Sequence, residues 1–278
     1  MQKKVVIVGL GLIGGSLAKA FRKYTGCPVA GIDRDPAAED AALRCGAVRK
    51  IAGEDDLRGA DLIYLCVYPG AAVGFVRRNL GLLRPGCVVT DTCGVKARLC
   101  RAMEPLARRG GFSFVGGHPM AGSEQSGFAA SDADLFRGAG YLLTPCGAPP
   151  EAVETLKAAA RALGFGPVTV TTPEEHDRRI AFTSQLPHAA ACAYAAGPLC
   201  AGSAGFAGGS FRDFSRVARI NEELWAELFL ENRGPLLDEL DGLSARLAEL
   251  RAAVAANDEK KLRALLRRSR ENKEALEE

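Results

Sequence analysis

Three histidines are the groups this 278-residue chain has for proton transfer near neutral pH, and His118 stands in the most telling context. It follows the apolar run 112–115 within Gly116-Gly117-His118-Pro119-Met120-Ala121-Gly122-Ser123-Glu124, a loop too rich in glycine to serve as a packing element. A neutral imidazole there suits removal of a hydroxyl proton as hydride leaves the same carbon. A place for the hydride acceptor is also legible. Lys4-Val5-Val6-Ile7-Val8 runs into Gly9-Leu10-Gly11-Leu12-Ile13-Gly14, a buried strand ending in a glycine turn that opens a helix. Gly9 permits the tight turn, Gly11 lets backbone approach a pyrophosphate, Gly14 lets helix and strand pack closely, and the first-turn N–H groups of Leu12 and Ile13 face the anion. Nineteen residues beyond Gly14, Asp33 ends a second strand, where an acid accepts the adenosine ribose hydroxyls. Arg34 beside it could take a 2′-phosphate or stack on adenine, and the acid favours NAD over NADP.

Two further clusters carry polar groups. In residues 176–188, Asp177, Ser184 and His188 share one helical stripe, and Pro187 should kink the helix and free a carbonyl. His176 and Asp177 read equally well as site residues or as a hydrogen-bonded tie between two parts of the chain, whereas His188 reads as part of a cleft wall. Residues 208–218 hold Gly209, Arg212 and Arg216, with Arg219 just beyond, ahead of a helix capped by Asn221 with Glu222 and Glu223 in its first turn. One of these arginines could hold an acidic substrate through paired N–H donors.

The elements that must position these groups are legible in the pattern. Strands are expected at 4–8, 29–32, 61–67, 87–90, 112–115, 141–144 and 168–171, with a weak one within 47–52, alternating with helices as in a doubly wound, mainly parallel Rossmann-like α/β sheet. Beyond Thr172-Pro173-Glu174-Glu175, a capping box, the chain reads as helix throughout, which divides it into residues 1–172 and 173–278. Leu236, Leu240, Leu243, Leu247, Leu250 and Val254 form a narrow apolar seam, and Asn257 caps a last helix whose apolar face is Leu262, Leu265 and Leu266. The uncharged stretch 189–211 contains Pro198, several glycines and serines, and reads as buried helices joined by a turn rather than a membrane span.

Composition narrows the class. Apolar residues make up 47% of the chain, enough for full cores, and a net charge of +3 gives no argument for nucleic acid or membrane as partner. Nine cysteines without a Cys-x-x-Cys pair, many in apolar runs, imply reduced, mostly buried thiols in a cytoplasmic protein, and Met1 leads into the first strand with no room for a targeting peptide. No metal site is expected.

Taken together, the turn at 9–14, Asp91-Thr92-Cys93-Gly94-Val95-Lys96, the His118–Glu124 loop, the segment from His176-Asp177 to Pro187-His188, and Arg216 resemble the prephenate dehydrogenases of tyrosine biosynthesis, with their arogenate and cyclohexadienyl relatives. The resemblance spans nearly the whole chain. It implies a cofactor domain, a helical dimerisation domain forming a homodimer, and oxidative decarboxylation of prephenate to 4-hydroxyphenylpyruvate with NAD. It assigns His118 to the ring hydroxyl and Arg216 to a substrate carboxylate, with His188, Ser123, Glu124 and Gly209 also at the substrate. Gly9, Gly11, Leu12, Ile13, Gly14, Asp33, Arg34 and Asp91 fall at the cofactor. Family members usually carry a serine at the position of Gly94 that bonds the histidine, so Ser123, Thr92 or water must orient His118 here. Some carry a histidine at Gln185, which leaves the entrance network with less charge. Because the chain starts at the sheet and ends in polar helix, no mutase or regulatory domain is expected, and tyrosine inhibition would act at the substrate site. Alternatives are an arogenate dehydrogenase, disfavoured by the neutral Asn221; a hydroxyacid or imine reductase with Lys96 as proton donor; and a sensor that binds NAD without turnover.

Overall fold

The computed structural model of the protein describes residues 3–123 and 125–276, so Glu124 lies outside the described residues. Among the described residues eight strands, β1 (Val5–Val8), β2 (Val29–Ile32), β3 (Lys50–Ile51), β4 (Leu62–Leu65), β5 (Val88–Asp91), β6 (Ser113–Pro119), β7 (Tyr141–Thr144) and β8 (Val168–Val170), form one sheet. Their order is β3-β2-β1-β4-β5-β6-β7-β8, and every pairing is parallel except β6 with β7. Strands are added to one side as far as β3 and to the other from β4 onward, so the order switches at the parallel β1–β4 pair, where an open sheet of this kind leaves a crevice at the carboxyl ends.

Both faces are buried, as the unbroken apolar strands require. Val5 and Ile7 enter one core and Val6 and Val8 the other; Leu62 and Tyr64 part from Ile63 and Leu65 in the same way. Helices α1 (Leu12–Thr25), α2 (Pro36–Arg44), α3 (Glu54–Gly59), α4 (Pro69–Arg78), α5 (Ala97–Gly110) and α6 (Pro150–Ala162) connect the strands. Leu17 and Phe21 of α1 and Leu156 of α6 cover the first face, Val76 of α4 and Leu99 and Met103 of α5 the second.

One strand departs from expectation where it matters most. The sequence ends the sixth strand at residue 115, but β6 continues through Pro119 and pairs His118 with Leu142. Gly117 permits this, because a Cβ there would lie 2.6 Å from the Asp91 carbonyl oxygen and 2.7 Å from Thr90 Oγ1. The histidine is held on a ladder, not in a loop. Beside it, the fully buried Asp91 carboxylate accepts from the N–H groups of Cys93 (2.8 Å) and Gly117 (3.1 Å) and pairs with the equally buried Lys96 ammonium. That corner joins β5, β6 and the start of α5.

The rest is helical: α7 (Pro173–Ile180), α8 (Leu186–Ala195), α9 (Gly209–Ser215), α10 (Glu222–Glu231), α11 (Arg233–Ala255) and α12 (Glu259–Glu274). Thr172 caps α7 through Glu175 N–H and Asn221 caps α10 through Leu224 N–H, in agreement with their sequence patterns. Asp258, not Asn257, caps α12, because Asn257 takes a left-handed turn with φ 53°. By packing, the chain divides into Met1–Asn232 and Arg233–Glu278, so α7 to α10 belong to the same compact unit as the sheet. In the second unit Leu236 is buried while Leu247 and Val254 of the same seam are exposed.

Residues 189–211 are not the buried helices expected. Pro198 and the glycines end α8 early, two short 3₁₀ turns come next, and Leu199 and Phe206 are 81% and 91% exposed. Among the described residues no helix is long and apolar enough to cross a membrane. The thiol expectation also needs correction, since Cys100 and Cys146 are joined as a disulfide with Cα atoms 5.8 Å apart. The antiparallel β6–β7 pairing brings α5 and the end of β7 together across 46 residues, a proximity with no signature in cysteine spacing. The other seven are free, and burial pushes Cys66 and Cys87 up to about 12, as inert thiols.

Lys96→Ala would leave the Asp91 carboxylate buried and unpaired. A loss of about 3–5 kcal/mol in urea unfolding is expected, and a loss below about 1 kcal/mol would mean the pair does not hold this corner.

Candidate active site

The glycine turn has the shape its spacing predicts. Gly9 takes φ 90° and donates to Ile32 O, and a Cβ on Gly14 would fall 1.8 Å from Gly9 O. Among the described residues no side chain caps the first turn of α1, where Gly11 is the N-cap and Leu12 and Ile13 come next, and a Cβ on Gly11 would meet none of their atoms within 4 Å. An open helix N-terminus and backbone free of side chains fit a pyrophosphate. Asp33, at the end of β2, accepts from the N–H groups of Leu10 and Asp35, which sets its carboxylate beside the turn, and the neighbouring Arg34 is exposed. These residues suit an adenosine ribose. Asp91 contributes otherwise: with three protein donors on its buried carboxylate, it shapes the corner under His118.

His118 sits at the carboxyl end of β6, on the same edge of the sheet as the glycine turn. Its Nδ1 lies 2.9 Å from Nε2 of His176, and Nδ1 of His176 lies 2.8 Å from Oδ1 of Asp177. Asp177 in turn accepts the N–H groups of Lys96 (2.7 Å) and Ala97 (2.8 Å) at the start of α5. His176 and Asp177 are 1% and 2% exposed, whereas His118 is half-buried. Burial, then the neighbouring His176 and Lys96, holds the His118 imidazole well below its ordinary 6.5. His176 is also lowered by burial, with its bond to Asp177 acting in the opposite sense. Sequence reasoning offered Ser123, Thr92 or water as the group orienting His118; the structure supplies His176. Ser123 is exposed and accepts from Gln125 N–H. A Cβ on Gly94 would stand 3.9 Å from His118 Nε2, with only Leu228 methyls nearer, so glycine puts no side chain there, and among the described residues no group bonds that nitrogen.

The predicted stripe of Asp177, Ser184 and His188 is broken. Residues Ala181–Gln185 form a π turn between α7 and α8, and the proline kink appears as this bulge with Pro187 in the first turn beyond it. The extra residue rotates α8 relative to α7. Asp177 meets α5, whereas His188 donates from Nδ1 to Ser184 O and stacks on Trp225 at 3.8 Å between ring centroids. Burial lowers His188, its bond to Ser184 raises it, and the charge of Arg216 lowers it again; Arg216 is exposed, in a turn that packs against α8. Gly209 begins α9 at the surface. Gln185, expected in an entrance network, is buried instead: its amide donates to Leu228 O and accepts from Asn232, which also donates to Asp177 O. Trp225 and the Gln185–Asn232 pair were not anticipated, because no local period marks them.

Two family models match the chain: the nucleotide-binding domain of prephenate dehydrogenase over residues 17–165 and its dimerization domain over 172–268. The chain belongs to the prephenate dehydrogenase family. It is 33% identical over 271 residues to the cyclohexadienyl dehydrogenase of Zymomonas mobilis, covering 92% of this chain and 90% of that protein. The crystal structure of prephenate dehydrogenase from Aquifex aeolicus in complex with hydroxyphenyl propionate and NAD+ superposes with a TM-score of 0.88 at 27% identity, covering 99% of each chain. Arogenate dehydrogenase from Synechocystis gives 0.83 at 28% identity, covering 98% and 99%. Membership of the prephenate dehydrogenase family thus accounts for both the sheet and the helices beyond it.

Proposed function

We propose that this chain catalyses NAD-dependent oxidative decarboxylation of prephenate to 4-hydroxyphenylpyruvate, as a cytoplasmic homodimer. The observation that carries the reading is His118: its Nδ1 is pinned by a buried partner, its Nε2 has no hydrogen-bond partner among the described residues, and it stands on the dinucleotide edge of the sheet. NAD held at Gly9–Gly14 and Asp33 supplies the hydride acceptor. His118 Nε2 takes the ring hydroxyl proton, and its lowered pKa keeps it unprotonated for that role. Arg216, in a turn packed against the helix of His188, offers paired N–H donors to a substrate carboxylate, with Ser123, Glu124 and Gly209 as further candidates around the substrate. Loss of the ring carboxylate as carbon dioxide makes the ring aromatic, so the protein has chiefly to orient the substrate and exclude water.

The rival readings are weaker on physical grounds. Lys96, the proton donor a reductase of this plan would need, is wholly buried and paired with Asp91. Asn221 directs its side-chain oxygen to Leu224 N–H, so that oxygen is already engaged and the neutral residue is a poor partner for the ammonium of arogenate. Exposed Leu199, Phe206 and Leu230 suit the dimer, and the two family matches support a functional division at 172/173.

Absorbance assays of prephenate and arogenate, each with NAD and NADP, test the proposal. Stoichiometric NADH and carbon dioxide from prephenate are expected, and a clear preference for arogenate would overturn the substrate. His118→Asn should bind NAD normally and lose about 10² or more in kcat. Arg216→Ala should cost about 2 kcal/mol in kcat/KM, mainly through KM. For the pH dependence, the unprotonated form is active and its pKa is depressed. Activity should therefore persist as pH falls through 6.5 and fail only at lower pH, whereas a limb at or above 6.5 would contradict the assignment.

A further inference from the structure

We propose that His176 is the positioning residue that sets the tautomer of His118, directing the lone pair of Nε2 toward substrate. The inference rests on the reading of His118 as proton acceptor and concerns what makes it one.

The chain of donors and acceptors has one consistent direction. Asp177 is fixed by two backbone N–H groups, one to each carboxylate oxygen, and a carboxylate only accepts. His176 Nδ1, 2.8 Å from Oδ1, therefore carries the hydrogen of that bond. A neutral imidazole has one N–H, so His176 Nε2 presents a lone pair. It faces His118 Nδ1 at 2.9 Å, and that nitrogen must then donate. His118 Nε2 is left as the acceptor. Among the described residues no other group bonds this ring, and Gly94 contributes no side chain on the Nε2 side.

The opposite tautomer would set two lone pairs against each other inside a nearly dry site. When the substrate hydroxyl oxygen releases its proton to His118 Nε2, the ring keeps its Nδ1–H on His176, and the new positive charge lies one imidazole away from the Asp177 carboxylate. The same logic governs triads in which a buried carboxylate orients a histidine without taking its proton. Here a second imidazole carries the orientation across a gap too wide for the carboxylate alone.

Because the chain has three histidines, single substitutions assign every imidazole signal in long-range ¹H–¹⁵N spectra. In the unaltered protein His118 should appear as the Nδ1–H tautomer, and a predominant Nε2–H form would overturn the proposal whatever the variants do. His176→Leu should lower kcat about tenfold or more with NAD affinity unchanged, while His176→Gln, which can offer an amide oxygen to His118 Nδ1, should recover most of that loss. Equal loss in both variants, or wild-type kcat in His176→Leu, would refute positioning by an acceptor. His118→Asn separates the two readings. If that variant still turns over prephenate, the role of His118 fails; if it is inactive while His176→Leu is not, only the role of His176 does.

Discussion

Two backbone N–H groups at the first turn of α5 grip the carboxylate of Asp177, and most of the site depends on that grip. It docks α7 against the sheet half of the molecule and makes the carboxylate an acceptor with a fixed position. From there orientation passes to His176 and then to His118, each step a hydrogen bond below 3 Å. The first turn of a helix has N–H groups with no intrahelical partner, so one aspartate satisfies an unmet need of α5 and anchors the neighbouring histidine at once.

Under this line lies a second buried polar corner, where Asp91 and Lys96 meet with no exposure to solvent. A buried ion pair is a poor source of net stability, because desolvation offsets most of the attraction. Its use here is geometric. The Asp91 carboxylate holds the N–H of Gly117, next to His118, and Lys96 supplies one of the N–H groups that hold Asp177. The two corners share a residue, so the strand bearing the imidazole and the helix bearing its partner are placed by one framework.

The helical segment meets its other requirements through irregularity. The π turn at Ala181–Gln185 lets one continuous helical run present Asp177 to α5 and His188 to Trp225. Gln185 and Asn232 close the turn from behind with a buried amide pair that also reaches Asp177 O. Apolar side chains at Leu199 and Phe206 remain on the surface.

Much of this was legible in the order of residues. The glycine turn, Asp33, the caps at Thr172 and Asn221, and the alternation that builds two cores are local patterns, set by φ preference, side-chain reach or strand period within a few residues. So was the choice of His118 as the candidate reactive imidazole. Tertiary structure decided the rest. That His118 lies on a strand comes from β7 pairing beside it, the disulfide from two elements meeting across 46 residues, and the partner of His118 from a histidine 58 residues away. Such contacts have no period to read, because they exist only once helices and strands have packed and brought distant groups within bonding distance.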